Sequence, residues 1–332
     1  MQRIFRTNII DITGIILIGL ALLLVSFSTS FKLSFELPQS LLNLNTIFLS
    51  ILIEALPFVL IGVLIAGVIQ IFVTEEHIRR WIPKNKYLAI IMSCVIGALF
   101  PACECGIVPI VRRLVGKGVP IHAAIGFMLT GPLINPIVIA STFMAFGNDF
   151  KIAGLRMGLG FFIAIMVAFV VSLIFKGNQF KSTIPTGPSH SHSKKEPFTN
   201  RFWEMLTHSI DEFFDMGKYL VMGAFLAAFV QTYMPAKALL EAGSGTVSSI
   251  GIMMGLAYFL SLCSEADAFI GASFSSIFPT SAILGFLVFG PMMDLKNTLM
   301  MLSVFRVKFV MGVLALIISI VFITMMLVQS FI

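Results

Sequence analysis

Two short stretches of this sequence carry the residue types best suited to bind a solute. The first stretch reads Phe100-Pro101-Ala102-Cys103-Glu104-Cys105-Gly106-Ile107-Val108-Pro109, and the second reads Cys263-Ser264-Glu265-Ala266-Asp267. Thiolates bind soft species such as zinc, copper(I) or trivalent arsenic. The candidate substrate or metal ligands are therefore Cys103, Cys105 and Cys263. A packing role and a redox switch are the two alternatives for these thiols, and Cys94 is interpreted as a packing residue.

Four carboxylates lie within apolar segments, namely Glu104, Glu265, Asp267 and Asp294. On insertion scales each carboxylate at the centre of a membrane helix costs about 2.5–3.5 kcal/mol, so these groups must line a wet cavity, be protonated or be paired. A carboxyl group that ionises when it reaches water can carry a proton. We therefore predict that these four residues couple the movement of a solute to protons or to another cation.

The composition excludes a soluble globular protein. The 332 residues are 58% hydrophobic and 11% charged, and their mean hydropathy is +1.01. Apolar runs long enough to cross about 30 Å of hydrocarbon occur near 8–28, 49–73, 87–111, 119–146, 152–175, 216–234, 247–275, 279–303 and 309–328. The first run leads directly into further spans, so we interpret it as a retained helix rather than a cleaved signal.

The chain also contains an internal repeat. The residues Glu54, Gly62, Gln70, Cys103, Pro120, Gly126, Gly131, Pro132 and Asn135 return as Asp215, Gly223, Gln231, Cys263, Pro279, Gly285, Gly290, Pro291 and Asp294. The offset between partners is 161 residues at the start and 159 at the end. Doubled membrane units commonly meet around a midplane site made by broken helices, which is typical of transporters.

The distribution of Lys and Arg predicts inverted repeats. If every apolar run crossed the membrane, Arg112, Arg113, Lys117 and the basic linker 176–217 would lie outside, against the positive-inside rule. The conflict disappears if 87–115 and 247–276 are re-entrant hairpins, with Pro101 to Pro109 at the first tip. About seven helices then cross, the N-terminus is cytoplasmic, and the basic residues near the outer face are Lys32, Lys151, Arg156 and Lys237.

This topology divides the chain into four parts. Residues 1–48 form an N-terminal helix and outer loop, 49–175 the first repeat, 176–207 a flexible cytoplasmic linker and 208–332 the second repeat. The linker contains His190 and His192, whose alternation is a weak metal-binding signal, and a solvated linker is the default interpretation.

Two Gly-Pro sequences interrupt long apolar runs at matching positions. They are Gly131-Pro132-Leu133-Ile134-Asn135-Pro136 and Gly290-Pro291-Met292-Met293-Asp294. A broken helix frees backbone groups, and the ends of half-helices carry partial charges that bind polar solutes. Pro132, Asn135 and Pro291 are thus further candidate substrate-binding residues, and the alternative is a structural kink satisfied by neighbouring helices. Gln70 and Gln231 are interpreted as polar contacts between helices.

Several of these residues together resemble a known family. The run Pro101-x-Cys103-x-Cys105-Gly106-x-x-Pro109-x-x-Arg112-Arg113-Leu114-x-x-Lys117-Gly118-x-Pro120, followed by Pro132-x-x-Asn135-Pro136, is similar to the bacterial predicted-permease family of YraQ-like and ArsP-like membrane proteins. The resemblance implies a plasma-membrane permease, for trivalent methylated arsenic in some members, with cysteine thiols holding the substrate. The second half departs from a symmetric thiol site, because it offers Cys263 and Glu265 in place of Cys-x-Cys.

Together these observations predict an all-α integral membrane protein with two inverted repeats, re-entrant helical hairpins and broken helices. We expect a non-enzymatic permease that moves a small solute, such as a thiophilic metal or a trivalent arsenical, by alternating access. A membrane thiol oxidoreductase and a membrane subunit of a metal-homeostasis complex are the alternatives. The chain lacks a G-x-x-x-x-G-K-[ST] motif, so no cofactor and no direct use of ATP are expected. The expected partners are the solute, the lipid bilayer and either an accessory membrane protein or further copies of the chain.

Overall fold

The structure of the chain is a computed structural model that describes residues 39–83, 85–100, 103–181, 198–233 and 245–331. The predicted helix 8–28 and most of the linker, with His190 and His192, lie outside the described residues. The first half contains α1 (Gln39–Phe72), α2 (Glu75–Trp81), α3 (Lys86–Leu99), α4 (Glu104–Gly116), α5 (Ile121–Thr130), α6 (Pro136–Ala145) and α7 (Phe150–Ile174). The second half contains α8 (Phe198–Tyr233), α9 (Thr246–Leu260), α10 (Ser264–Ser273), α11 (Thr280–Met292), α12 (Leu295–Val304) and α13 (Val307–Gln329).

Four helices are long and apolar enough to cross a membrane, namely α1, α7, α13 and the part of α8 from Met205 to Tyr233. The shortest of them, α13, has 23 residues and spans about 35 Å at a rise of 1.5 Å per residue. The remaining apolar helices are half this length and occur in consecutive pairs. This combination of long and half-length helices is an all-α integral membrane architecture.

The two halves repeat one order of elements. Each begins with a long helix (α1 or α8), continues through two pairs of short helices, and ends with a long helix (α7 or α13). In the first half α3 packs on α5, and in the second half α9 packs on α11. Across the halves α4 packs on α12 and α6 packs on α10. Because exchanging the repeats converts each of these contacts into the other, the two halves are related by an approximate twofold axis.

The α3–α4 pair opens towards one end of the molecule. Lys86 at the start of α3 and Lys117 just after α4 line the same cavity, so the chain enters and returns on one side. Phe180 lines that cavity as well and stacks on Phe305 immediately before α13. This end, which we call the cavity end, is thus the end at which α13 begins.

The α9–α10 pair opens towards the opposite end. Ile250 in the second turn of α9 lies beside Gly285, near the start of α11. The hydroxyl of Ser281 hydrogen-bonds Gln329, the last residue of α13. Since α3–α4 opens where α13 begins and α9–α10 opens where α13 ends, the repeats are inverted with respect to each other.

Asn and Asp side chains begin four of the helices. The side-chain oxygens of Asn85, Asn135 and Asp149 each accept the backbone N–H two residues further on, and Asp294 accepts the N–H of Asn297. Such capping satisfies first-turn donors that have no partner within the helix. Two of these caps, Asn135 and Asp294, are repeat partners at the breaks inside the long apolar runs.

Two prolines of the predicted breaks lie inside helices, and the breaks themselves lie at neighbouring residues of the predicted stretches. The first break ends at Cys103, and Pro109 lies inside α4. The second Gly-Pro pair does not interrupt α11, which continues through Pro291 to Met292 and ends just before Asp294. A proline inside a helix removes a single backbone hydrogen bond, and neighbouring groups in a packed membrane bundle can satisfy the freed carbonyl. Proline therefore marked the neighbourhood of each break and not its position.

Most of the buried apolar side chains form one large cluster with members from both halves. A small second cluster contains Ile90, Cys94 and Ala168. Cys94 is fully buried there among apolar side chains, which confirms the packing role predicted for it.

Candidate functional site

Four half-helices begin at the breaks within the two repeats. Their N-cap residues are Cys103 for α4, Asn135 for α6, Cys263 for α10 and Asp294 for α12. Since α4 packs on α12 and α6 packs on α10, these N-termini are drawn towards the middle of the molecule. The N-terminus of a helix presents unbonded N–H groups and a partial positive charge. Neither cysteine caps its helix with its side chain, so the first-turn donors of α4 and α10 lack the side-chain acceptors that α6 and α12 have.

Three of the predicted coupling carboxylates are fully buried at these N-termini: Glu104, Asp267 and Asp294. Within the described part of the chain, Oε1 of Glu104 and both carboxylate oxygens of Asp267 accept no hydrogen bond, and Oδ2 of Asp294 has Lys296 as an ion-pair partner. Glu104, Asp267 and Asp294 are also near enough to interact electrostatically. Buried polar atoms are normally satisfied, so unpartnered oxygens in this number indicate a place for a proton, an ion or a polar solute. Glu265, the fourth predicted residue, is only half-buried.

Two buried cations that the sequence analysis did not assign to the site lie among these acids. Nζ of Lys296 is 3.5 Å from Oδ2 of Asp294. The guanidinium of Arg156 donates from Nη1 to Oγ1 of Thr142 at 2.6 Å and from Nη2 to the carbonyl of Ser264 at 3.0 Å. The position of Arg156 near the outer face stays a prediction, but its guanidinium is buried beside the site. Arg156 is buried because it links α7 to α6 and α10, and it interacts electrostatically with Asp267.

A signal for both cations existed in the sequence. Lys296 is the one charged residue besides Asp294 in the apolar run 279–303, and Arg156 lies in the run 152–175. A charge within an apolar run faces a cavity or a partner, as the acids were expected to do. The positive-inside rule uses Lys and Arg to assign orientation, so it does not identify buried cations that pair with acids.

The three candidate thiols differ in environment. Cys105 is buried in the first turn of α4, whereas Cys103 and Cys263 are half-buried at the two helix starts. All three are free thiols, and the Cys263 thiol interacts with the carboxylate of Glu54 on α1. Among the residues that the structure describes, no group of three or more His, Cys, Asp or Glu side chains is arranged to hold a metal ion. The described residues thus hold no preformed metal site, and Cys103, Cys105 and Cys263 stay a predicted ligand set.

The Gly-Pro sequences position α4 and α10. A β-carbon on Gly131 would lie 2.5 Å from Cδ1 of Ile107, and a β-carbon on Gly290 would lie 2.8 Å from Oδ2 of Asp267. Ile107 and Asp267 are repeat partners, so the same close approach occurs in both halves. Pro132 and Pro291 follow these glycines and are buried. Both prolines thus lie beside helices that carry candidate site residues.

A cavity of about 760 Å³ lies at the cavity end. Its lining includes Arg112 and Arg113, which both pair with the buried carboxylate of Glu212 on α8, at 3.2 and 2.5 Å. Nζ of Lys117 donates to the backbone carbonyl of Gln70 at 2.7 Å. These contacts fasten the end of α4 to α1 and α8. Asp215, the repeat partner of Glu54, also lines this cavity, and its exposed carboxylate is 3.5 Å from Lys218.

Comparison with known proteins identifies the family of this chain. The model of a family described as "Predicted permease" (ArsP_1) matches residues 40–330. The chain belongs to this predicted-permease family. UPF0718 protein YcgR of Bacillus subtilis (strain 168) is 51% identical over 283 residues, which are 85% of this chain and 96% of that protein. No solved structure matches the chain.

A second relative carries a more specific name. The "Putative two-component membrane permease complex subunit" of Streptococcus mutans serotype c is 43% identical over 276 residues, 83% of this chain and 91% of that protein. Family membership confirms the resemblance inferred from the cysteine and Gly-Pro motifs.

Proposed function

We propose that this permease is a secondary transporter that carries a small solute past the four half-helix N-termini by alternating access. The observation that carries the proposal is Asp267, which is fully buried on α10 with both carboxylate oxygens unpartnered among the described residues. A buried ionised carboxylate whose oxygens accept no hydrogen bond is unfavourable, and Arg156 offsets its charge only through space, so we assign to Asp267 the binding of a proton or a passing cation. A structural role alone gives no reason to keep such a group at the centre of a membrane protein.

The acids divide into two groups by their contacts. Asp294 is held by the N–H of Asn297 and by Lys296, so it is a fixed part of the site. Asp267 and Glu104 have unpartnered oxygens and are the groups that we assign to proton or cation coupling. Glu265 lies half-buried beside them. Lys296 and Arg156 offset two of the four possible negative charges of these acids, which leaves two for a bound proton or cation.

The cargo that we favour is a thiophilic species, either a soft metal ion or a trivalent arsenical. Cys103 and Cys263 support this assignment because both are free, half-buried and located at the starts of α4 and α10. These starts belong to opposite repeats, so a cargo bound between them could be passed from one side to the other. Cys105, Asn135, Pro132 and Pro291 would shape the same passage.

The membrane topology is part of the proposal. Arg112, Arg113 and Lys117 line the cavity end, and the linker 176–207 is basic, so we assign this end to the cytoplasmic face of the cell membrane. The α3–α4 pair is then a re-entrant hairpin from the cytoplasmic side, and the α9–α10 pair is a re-entrant hairpin from the outside.

A second candidate function is a permease subunit that needs a partner protein. The Streptococcus mutans relative, named a "Putative two-component membrane permease complex subunit", supports this candidate. A thiol oxidoreductase has less support, because Cys103 and Cys263 face different partners and Cys105 is buried. It would require a disulfide that forms and breaks during turnover.

The test is cargo accumulation in a host strain that lacks its own arsenic and soft-metal exporters. Methylarsenite, Zn²⁺ and Cu⁺ are supplied separately, and cell-associated metal or arsenic is measured by mass spectrometry. Wild-type protein should change accumulation of at least one probe, and Cys103→Ser should abolish the change at an equal amount of protein in the membrane. Cys94→Ala is the matched control and should behave as wild type. Full activity of Cys103→Ser would exclude a thiol-bound cargo.

A further inference from the structure

The two repeats pack differently around the site. The helix α1 packs on α4, and α8 packs on α12. Both α4 and α12 run from the middle of the molecule towards the cavity end. When the repeats are exchanged, α4 corresponds to α10 and α12 corresponds to α6. Among the described helices, however, neither α1 nor α8 packs to a similar extent on α6 or α10.

The exposure of repeat partners shows the same difference. Ile110 on α4 is 1% exposed, whereas its partner Ile270 on α10 is 37% exposed. Lys296 on α12 is 4% exposed, whereas its partner Ile137 on α6 is 59% exposed. Phe269, the neighbour of Ile270, is 53% exposed. We call Ile137, Phe269 and Ile270 the uncovered face of α6 and α10.

Two glycines that are repeat partners make close helix contacts that the repeats do not share. A β-carbon on Gly62 of α1 would collide with the backbone of Gly106 on α4, and a β-carbon on Gly223 of α8 would lie 2.9 Å from Cα of Lys296. Gly62 and Gly223 are repeat partners, but the residues that they touch are not. Exchange of the repeats places Gly223 against Ala266 and Gly62 against Ile137. Glycine at both positions leaves room for a close helix contact in either arrangement.

The repeat partners Gln70 and Gln231 also differ in their contacts. Nε2 of Gln231 on α8 donates to the carbonyl of Leu260 at the end of α9, at 2.5 Å. Their repeat partners are Gln70 and Leu99, the last residue of α3. Oε1 of Gln70 is buried without a hydrogen-bond partner among the described residues. The first repeat thus contains the components of a contact that only the second repeat makes.

We propose that the uncovered face of α6 and α10 is the docking surface for α1 and α8 of the same chain in a second conformation. In that conformation α8 lies on α10 and α1 lies on α6, Gln70 bonds the carbonyl of Leu99, and the contacts of α1 with α4 and of α8 with α12 are released. The cavity end then opens to the site while the opposite end closes. This inference rests on the proposed transport function, because alternating access needs a second conformation that is open at the other end of the molecule.

The test is photocrosslinking of the full-length chain in native membranes. The variant Phe269→p-benzoylphenylalanine places a photoreactive ring on α10 with little change of shape. Crosslinks to α8 between residues 219 and 227 are expected. The matched control is the same substitution at Phe162 on α7, which is 54% exposed and should yield no crosslink to α8. Crosslinks from position 269 to residues 8–28, to a second copy or to lipid, without any to α8, would overturn the proposal.

Two further variants test the direction of the change. Gln231→Leu removes a hydrogen bond of the described conformation, so the yield of the 269–α8 crosslink should rise about two- to twelvefold, the range expected for one hydrogen bond. Gln70→Leu should lower the yield by a similar factor. An unchanged yield in both variants would count against the proposal. Cargo accumulation is measured on the same cells. Transport that persists without the crosslink refutes the docking surface alone, whereas a crosslink without transport of any probe refutes the proposed function alone.

Discussion

Gly290 and Asp267 lie in such close contact that a β-carbon on the glycine would come within 2.8 Å of Oδ2 of the aspartate. The carboxylate is thus held against the backbone of α11, where the absence of a side chain leaves room for it. This contact joins the Gly290-Pro291 sequence to the acidic first turn of α10. It explains why glycine precedes the buried Pro291 although α11 is not broken there.

Gly290→Ala should abolish transport, because the added methyl group must displace the Asp267 carboxylate or separate α10 from α11. Gly131→Ala should have a milder effect, since the β-carbon would meet the flexible end of the Ile107 side chain. Gly255→Ala on α9 is the control, because nothing in the described structure lies within 4 Å of its β-carbon. Cargo accumulation relative to the amount of membrane protein is the measurement. Wild-type transport by Gly290→Ala would contradict the role assigned to this contact.

Asp267→Asn should separate cargo binding from coupling. The amide is nearly isosteric with the carboxyl group but cannot carry a proton, so transport driven by a pH gradient should be lost. Exchange of labelled for unlabelled cargo across vesicles without a gradient should remain. Gradient-driven transport and exchange are compared in the same reconstituted vesicles, and Glu265→Gln serves as a comparison at a half-buried position. Retention of gradient-driven transport by Asp267→Asn would remove this residue from the coupling mechanism.

Asp294→Asn should lower the amount of folded protein in the membrane. The substitution leaves the buried ammonium group of Lys296 without its carboxylate partner, and breaking a buried ion pair typically costs about 3–5 kcal/mol. The double variant Asp294→Asn/Lys296→Met should restore much of the folded protein while transport stays absent. The measurement is the thermal stability of detergent-extracted protein. Equal stability of the single and double variants would show that the 3.5 Å pair is not a stabilising unit.

The hairpin topology predicts which residues a membrane-impermeant thiol reagent reaches from each side. Cysteines introduced at Lys86 and Gly116 should both be labelled from the cytoplasmic side only, and cysteines at Val247 and Ser275 from the outside only. All four positions are exposed in the structure. The native thiols serve as the background in unsubstituted protein. Labelling of Lys86→Cys and Gly116→Cys from opposite sides would mean that α3 and α4 together cross the membrane.

The sequence indicated the breaks and the acids because helix-breaking and charged residues are uncommon within an apolar membrane run. Cys103, Asn135, Cys263 and Asp294 could be matched by their repeat spacing alone, and each begins a half-helix in the structure. The stretch Gly290–Asp294 was predicted to hold the second break, but the residue at which α11 ends within it could not be derived. Pro291 is accommodated within α11, and whether a helix passes through a proline depends on the neighbours that satisfy the freed carbonyl.

Arg156 and Lys296 were missed for a different reason. Neither has a charged repeat partner, since the matching positions are Ala315 and Ile137. A comparison of repeat partners therefore does not reveal these two cations. Their partners, the carbonyl of Ser264 and the carboxylate of Asp294, become evident only when α7 and α12 are packed against the half-helices.

Ile107 and Asp267 occupy equivalent places against a glycine in the two repeats, yet one side chain is hydrocarbon and the other is an acid. A symmetric pair of identical subunits must place the same group at both sites. One chain with two different repeats can instead carry a single ionisable group where symmetry imposes two. The two ends of the molecule are therefore chemically distinct at this contact, and movements towards either end would meet different surfaces.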